Sequence, residues 1–172
     1  WGANALYRND GAHFSNVTQS AGVGDPCWGT SAEFLDHDND GDLDLFVANY
    51  VTFSPGNSVY CARGNVRTYC EPDEFPPQGD VFYRNDGTRF VDITQSVGLT
   101  HIGRGLGVAP SDYDGDGDTD LYVANDGTIN FFYQNEGAYF NEVSLQTGTR
   151  FNGYGRAEAG MGVDWADYDN DG

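Results

Sequence analysis

Residues 36–44 read Asp36-His37-Asp38-Asn39-Asp40-Gly41-Asp42-Leu43-Asp44, and 76 residues further on the chain reads Asp112-Tyr113-Asp114-Gly115-Asp116-Gly117-Asp118-Thr119-Asp120. Both stretches place Asp at positions 1, 3, 5 and 9 and Gly at position 6. A third, Asp167-Tyr168-Asp169-Asn170-Asp171-Gly172, begins the same pattern. Alternate side chains of such a tight loop converge on one point, and calcium takes about six to eight hard oxygen ligands. Gly41 and Gly117 admit the sharp turn that aims the next carbonyl inward. The expected ligands are therefore the side chains of Asp36, Asp38, Asp40 and Asp44, and of Asp112, Asp114, Asp116 and Asp120. The position-7 residues, Asp42 and Asp118, are expected to contribute backbone carbonyls, with their carboxylates turned outward. Asp167, Asp169 and Asp171 begin a third site. The cofactor expected is Ca2+, in two complete sites and one partial site.

Other readings of these loops fit less well. Magnesium keeps its waters and seldom uses a full protein cage. An EF-hand needs a bidentate Glu at position 12 between helices, whereas position 12 here is Val47 or Val123 and strand-like sequence follows. Solvated Asp/Gly turns would not recur in register. Without metal, carboxylates this close repel one another, so the ion is expected to take part in folding.

Working outward, the loops belong to a longer repeat. Leu6-Tyr7-Arg8-Asn9-Asp10-Gly11 returns as Phe82-Tyr83-Arg84-Asn85-Asp86-Gly87 and as Phe132-Tyr133-Gln134-Asn135-Glu136-Gly137. Each copy continues alike from Phe14, Phe90 or Phe140 to a turn through Gly22, Gly98 or Gly148. Between Asn49 and Phe82 the first full unit carries an insertion, roughly residues 51–80, with Cys61, Cys70 and four of the six prolines. Without it the period is about 50 residues, that of propeller blades, and no useful helical periodicity is present.

One unit reads as a short inner strand from Thr30 to Leu35, the Asp loop and a strand from Leu43 to Asn49, apolar on both faces. A third strand ends at Tyr83-Arg84, and a hairpin turn at Asn85-Asp86-Gly87 leads to a last strand from Phe90 to Thr94. Pro110 falls in an inner strand, tolerable at a sheet edge. The fold class expected is all-β, a β-propeller of four-stranded blades. Residues 1–24 end one blade, 25–100 form a second around the insertion 51–80, 101–149 form a third, and 150–172 start the next. Because Trp1 is no initiating residue and the repeat starts and stops mid-unit, the chain is expected to be a segment of about three blades.

The totals narrow the function. The formal charge is −19, from 27 acidic residues against eight arginines and no lysine. Nucleic acid, which needs a basic footprint, is not an expected partner. An anionic membrane would repel this surface, and no apolar run is long enough to span one. Thirteen of the acids lie in the three loops, so the charge is concentrated there. Cys61 and Cys70 are the expected disulfide, with Cys27–Cys61 and Cys27–Cys70 left open by the sequence; the thiols lack the paired spacing of a zinc site. Asn16-Val17-Thr18 is a glycosylation sequon, meaningful only in a eukaryotic secretory host. His13, His37 and His101 accompany no nucleophile and read as surface residues. Glu33 and Asp164 occupy equivalent inner-strand positions, where they line a channel or serve the structure. No catalytic motif or nucleotide loop is present, so no enzyme activity is expected.

On these residues the chain resembles the FG-GAP/VCBS repeats of integrin α-subunit-like propellers. The stretch Asp112–Asp126, the sequence AGMGVDWADYDNDG at 159–172 and the insertion Tyr50–Pro77 resemble more closely the bacterial cartilage-acidic-protein-like group, also called ASPIC/UnbV. The resemblance implies a secreted or surface-exposed calcium-binding propeller, often of seven or eight blades, with the periplasm as the secondary alternative. It carries the calcium positions onto Asp36 to Asp44, Asp112 to Asp120 and, in part, Asp167, Asp169 and Asp171. The function expected is surface adhesion, matrix or protein assembly through an unidentified protein or glycan ligand. The alternatives are a carbohydrate-binding or polysaccharide-cleaving propeller, or a filament subunit self-assembling through blade edges.

Overall fold

The computed structural model describes residues 2–57, 59–137 and 139–168, and its regular structure is almost entirely β. A hairpin of β1 (Tyr7–Asn9) and β2 (Phe14–Asn16) leads into α1 (Thr18–Ala21), a single helical turn. Gly22, at φ 82°, ends it in the left-handed conformation that glycine adopts without strain. The first full unit comprises β3 (Gly29–Leu35), β4 (Asp44–Asn49), β8 (Val81–Asn85) and β9 (Phe90–Asp92). Between β4 and β8 the insertion contributes β5 (Ala62–Arg63), β6 (Val66–Arg67) and β7 (Gln78–Gly79). After β10 (Ile102–Gly103) the second unit comprises β11 (Gly105–Ser111), β12 (Asp120–Asn125), β13 (Phe131–Asn135) and β14 (Phe140–Glu142).

Each unit is a four-stranded antiparallel meander, in the orders β3-β4-β8-β9 and β11-β12-β13-β14. The registers match: Leu45 faces Tyr83 in the first sheet, as Leu121 faces Tyr133 in the second. Pro110 lies on β11, an edge strand, where its missing N–H costs no ladder bond. Two expected boundaries shift. The second strand starts at Asp44 rather than Leu43, whose side chain is exposed, and the last strand ends at Asp92 because Thr94 already turns the chain. A third difference lies after Arg150, where no strand forms among the described residues.

Every residue of β4 is buried, because both faces of its sheet are covered. Phe46 and Ala48 point into a core shared by the two sheets, together with Leu35, Phe82, Val108, Leu121, Val123, Phe131 and Tyr133. Leu45, Val47 and Tyr83 point the other way, onto Val23 and the partly buried Leu6 and Ala21 of the first hairpin region. The far face of the second sheet repeats this arrangement, with Phe132 packed against Tyr113, Tyr122 and Trp165. Burial of each large side chain contributes about 1.5–3 kcal/mol, so the inter-sheet core is the main stabilising term.

The two sheets meet through one contact that recurs. A Cβ on Gly105 would lie 3.1 Å from the Ala48 Cβ, 3.2 Å from the Asn49 carbonyl and 3.2 Å from Asp80 Oδ1. A Cβ on Gly160 would meet the equivalent atoms of Ala124, Asn125 and Asn130 at 3.1, 3.2 and 3.1 Å. At Gly29 the neighbour is Asn4 Oδ1, at 2.6 Å. Each unit therefore approaches the preceding one through a glycine that leaves room for an Asx side chain. That side chain also holds the sheet: Asp80 Oδ1 accepts the Asn49 amide at 2.8 Å, and Asn130 Oδ1 accepts the Asn125 amide at 2.9 Å. The Thr30 hydroxyl, 2.7 Å from the Gly105 carbonyl, adds a direct bond between the sheets.

The insertion packs over the end of β4 remote from the Asp loop. Val51 bridges Pro77, β7 pairs with β10, and Trp28 packs against Tyr50 and Phe53. Cys61 and Cys70 form the disulfide, their Cα atoms 5.2 Å apart, and Cys27 is a free thiol. Burial beside Asp25 pushes the Cys27 thiol up to about 11, so at neutral pH it is protonated and unreactive.

Asp80 is the one carboxylate among the three Asx positions. Burial pushes it up to about 7 despite the bond from the Asn49 amide. Its pKa is higher folded than unfolded, so stability falls as pH rises from about 4 to about 7 and then levels off. Asp80→Asn restores the amide found at Asn4 and Asn130. The variant should gain up to about 4 kcal/mol near pH 8 and little near pH 4. Urea denaturation of both proteins at the two pH values measures this.

Candidate metal centre

The Asp loops leave the ends of β3 and β11 and return as β4 and β12, so both lie at the same end of their sheets. Each is built on its own first carboxylate. Asp36 accepts the amides of Asp40 and Gly41 at 3.2 and 3.0 Å; Asp112 accepts those of Gly115 and Gly117 at 2.8 and 3.0 Å. The position-5 carboxylates, Asp40 and Asp116, accept the position-7 amides at 2.8 and 2.9 Å. Gly41 and Gly117 sit at φ 91° and 94°, a conformation that a side chain would strain.

The carboxylates gather accordingly. One ligand oxygen from each of Asp36, Asp38 and Asp40 lies within 4.8 Å of the others, as does one from each of Asp112, Asp114 and Asp120. The donors of these two clusters are hard carboxylate oxygens, the set that suits calcium, but Asp44 groups instead with His37 and Asp38, and Asp116 joins neither cluster among the described residues. Asp42 and Asp118 belong to neither cluster among the described residues; their Oδ2 atoms lie toward the hairpin turns at Gly87 and Gly137. Asp118 Oδ1 instead accepts the Asn39 side-chain amide at 2.7 Å, so the two loops touch. Asp167 lies within the described residues, whereas Asp169 and Asp171 lie outside them.

The position-9 residues differ from the rest in being buried. Asp44 and Asp120 are each 1% exposed. Asp120 Oδ1 accepts the Asn135 amide at 2.7 Å and its Oδ2 the Tyr113 amide at 2.8 Å. Asp44 repeats this with the amides of Asn85 and His37, at 2.8 and 3.1 Å. Here the two loops diverge, because position 2 is His37 in one and Tyr113 in the other. His37 is not a surface residue: it is buried, bonds Asp44 through Nδ1, and lies against Phe82 and Phe140. Burial alone would raise Asp44, but the bonds from His37 and from the Asn85 amide hold it below its ordinary value. Burial alone would lower His37, and Asp44 holds it above its ordinary value instead. Asp120 has no such partner. Burial raises it, overriding its two amide donors, and the neighbouring charges of Asp114 and Asp116 push the same way.

Two further residues of the site read in sequence only as turn formers. Asn85 and Asn135 accept the Gly87 and Gly137 amides within their own hairpins, as Asn9 does for Gly11. Their side-chain amides reach back to the loops, from Asn85 to the Leu43 carbonyl at 3.1 Å and from Asn135 to the Thr119 carbonyl at 3.2 Å. Asn135 also donates to the His37 carbonyl at 2.7 Å and so joins the second unit to the first loop. The signal was present in the sequence, since Asn recurs at this position in all three copies. Glu33, half-buried opposite Phe46, and the exposed Asp164 belong to neither carboxylate cluster.

Removing the Asn135 side chain takes a donor from the buried His37 carbonyl and from the part-buried Thr119 carbonyl. Asn135→Ala should cost about 1–3 kcal/mol in urea denaturation, and Asn85→Ala, at a more exposed position, less.

The FG-GAP-like repeat profile matches residues 1–47, 75–123 and 112–172, leaving out most of the insertion. Among curated proteins, none matches the chain. The matched segments cover most of the sequence and follow the strand pattern and both Asp loops, and on that ground the chain belongs to the FG-GAP-like repeat family.

Proposed function

We propose that the chain is a set of calcium-stabilised β-propeller blades from an extracellular, non-enzymatic scaffold for surface adhesion, matrix or protein assembly. In this reading the blades are residues 1–24, 25–100 with the insertion 51–80, 101–149 and 150–172. The ASPIC/UnbV resemblance favours a ring of seven or eight.

The observation that carries the reading is that carboxylate clusters form at the same place in both full units, each on a loop whose glycine sits at the required positive φ. Calcium there would neutralise charges that otherwise repel. Asp36, Asp38, Asp40 and Asp44 would hold one ion with the Asp42 carbonyl, and Asp112, Asp114, Asp116 and Asp120 a second with the Asp118 carbonyl. Asp167, Asp169 and Asp171 would begin a third. Extracellular modules of this kind bind at ~10⁻⁴–10⁻³ M and would be saturated outside the cell. Membership of the FG-GAP-like family and the Cys61–Cys70 disulfide favour the same compartment.

Excess EGTA should lower the melting temperature by about 5 °C or more relative to millimolar calcium, with magnesium restoring little of it. Asp114→Asn should weaken the calcium response, while Asp42→Asn, altering a carboxylate outside the cluster, should leave it nearly intact. An unchanged melt in EGTA would remove the structural role of calcium.

A further inference from the structure

Within the insertion, the stretch between Cys61 and Cys70 differs in charge from the rest of the molecule, although acids resume directly after it at Glu71, Asp73 and Glu74. Residues 61–70 read Cys-Ala-Arg-Gly-Asn-Val-Arg-Thr-Tyr-Cys, with two arginines and no acid in a chain of net charge −19. The disulfide closes this segment into a hairpin, aided by a 2.9 Å bond from the Thr68 amide to the Cys61 carbonyl. Between the hairpin and the packed pair Phe53 and Phe75, whose rings are 5.6 Å apart, lies a groove of about 810 Å³. That falls within the ~300–1,000 Å³ of small-ligand clefts.

The lining of the groove has one kind of charge. Phe53, Val59, Phe75 and the disulfide form its apolar part, Tyr69 stands fully exposed along it, and Arg67 is the one charged group among its described lining residues, with Glu71 and Glu74 on the adjoining side of the hairpin. The Arg67 guanidinium lies over the Tyr60 ring, 5.8 Å from its centroid, which limits its freedom before any ligand arrives. Three arginines elsewhere, Arg8, Arg84 and Arg150, are committed to Asp10, Asp86 and Glu142. Neither Arg63 nor Arg67 is in an ion pair among the described residues.

We propose that this groove binds one or two residues of an anionic polysaccharide, carboxylated or sulfated. A pyranose presents an apolar C–H face, which packs on flat aromatic rings, and an anion at its edge, which a guanidinium takes in a two-pronged contact. An acidic peptide fits less well, because β5 and β6 have two residues each and offer no strand edge long enough for an extended chain. The site is separate from the Asp loops, since the insertion leaves β4 at Asn49, the end opposite Asp44.

The test is calorimetric titration of the calcium-loaded protein with trigalacturonate, its methyl ester, a sulfated heparin hexasaccharide and a hexaglutamate peptide. One or both anionic sugars should bind, more weakly at high salt, and the one that binds identifies the anion. The methyl ester, which keeps the ring and loses the charge, should bind at least tenfold more weakly than the free uronate. Arg67→Gln should lose about tenfold and Tyr69→Ser a few-fold, with melting temperatures unchanged; the remote Arg156→Gln should bind as the parent does. The proposal is overturned if neither anionic sugar binds, if Arg67→Gln binds equally well, or if hexaglutamate binds as tightly as the sugars.

Discussion

A buried carboxylate at the ninth position of each Asp loop joins the parts of a unit. Asp44 and Asp120 stand at the first residue of a central strand, and their two oxygens face opposite ways. One accepts the amide of the loop's second residue, and the other accepts an amide of the third strand. Loop, central strand and hairpin are thereby held to one another by charge-assisted bonds out of contact with water, where such bonds are strongest. The same location makes these carboxylates costly. Asp120 is pushed upward by burial and by Asp114 and Asp116, a repulsion that the proposed cation would relieve. In the first loop part of that role already falls to His37.

The contact between units depends on a different constraint, that of space. A glycine in each unit, Gly29, Gly105 and Gly160, leaves room for an Asx side chain of the preceding unit. The Asx group then satisfies the amide at the end of the preceding central strand. Asn meets this demand without charge, whereas burial raises the Asp80 carboxyl to about 7 even though the bond it accepts favours its ionised form. The insertion lies beside Asp80, so the one departure from Asn occurs where the repeat is itself interrupted.

Much of this was legible in the residues. The spacing of Asp36 to Asp44 and Asp112 to Asp120, the three hairpin copies and the apolar central strands predict four-stranded units, and two such sheets form. The Cys61–Cys70 pair was also the expected one, because a short hairpin brings those thiols together with little chain to close. His37 was misread: in sequence a lone histidine beside acids resembles a solvated residue, and its burial is caused by Phe82 and Phe140, 45 and 103 residues away. Asn85 and Asn135 were assigned only to turns, since nothing local reveals that a side chain reaches back to a loop.

The sequence by itself determined the class of each element and the chemistry of the loops, because periodicity, glycine and clustered carboxylates act over a few residues. Tertiary structure alone decided which carboxylates are buried, which amides receive them, and that Arg67 faces a groove rather than a neighbouring acid. Those outcomes depend on contacts between segments far apart in the chain. Their energies are set by exclusion of water, which no local stretch can bring about alone.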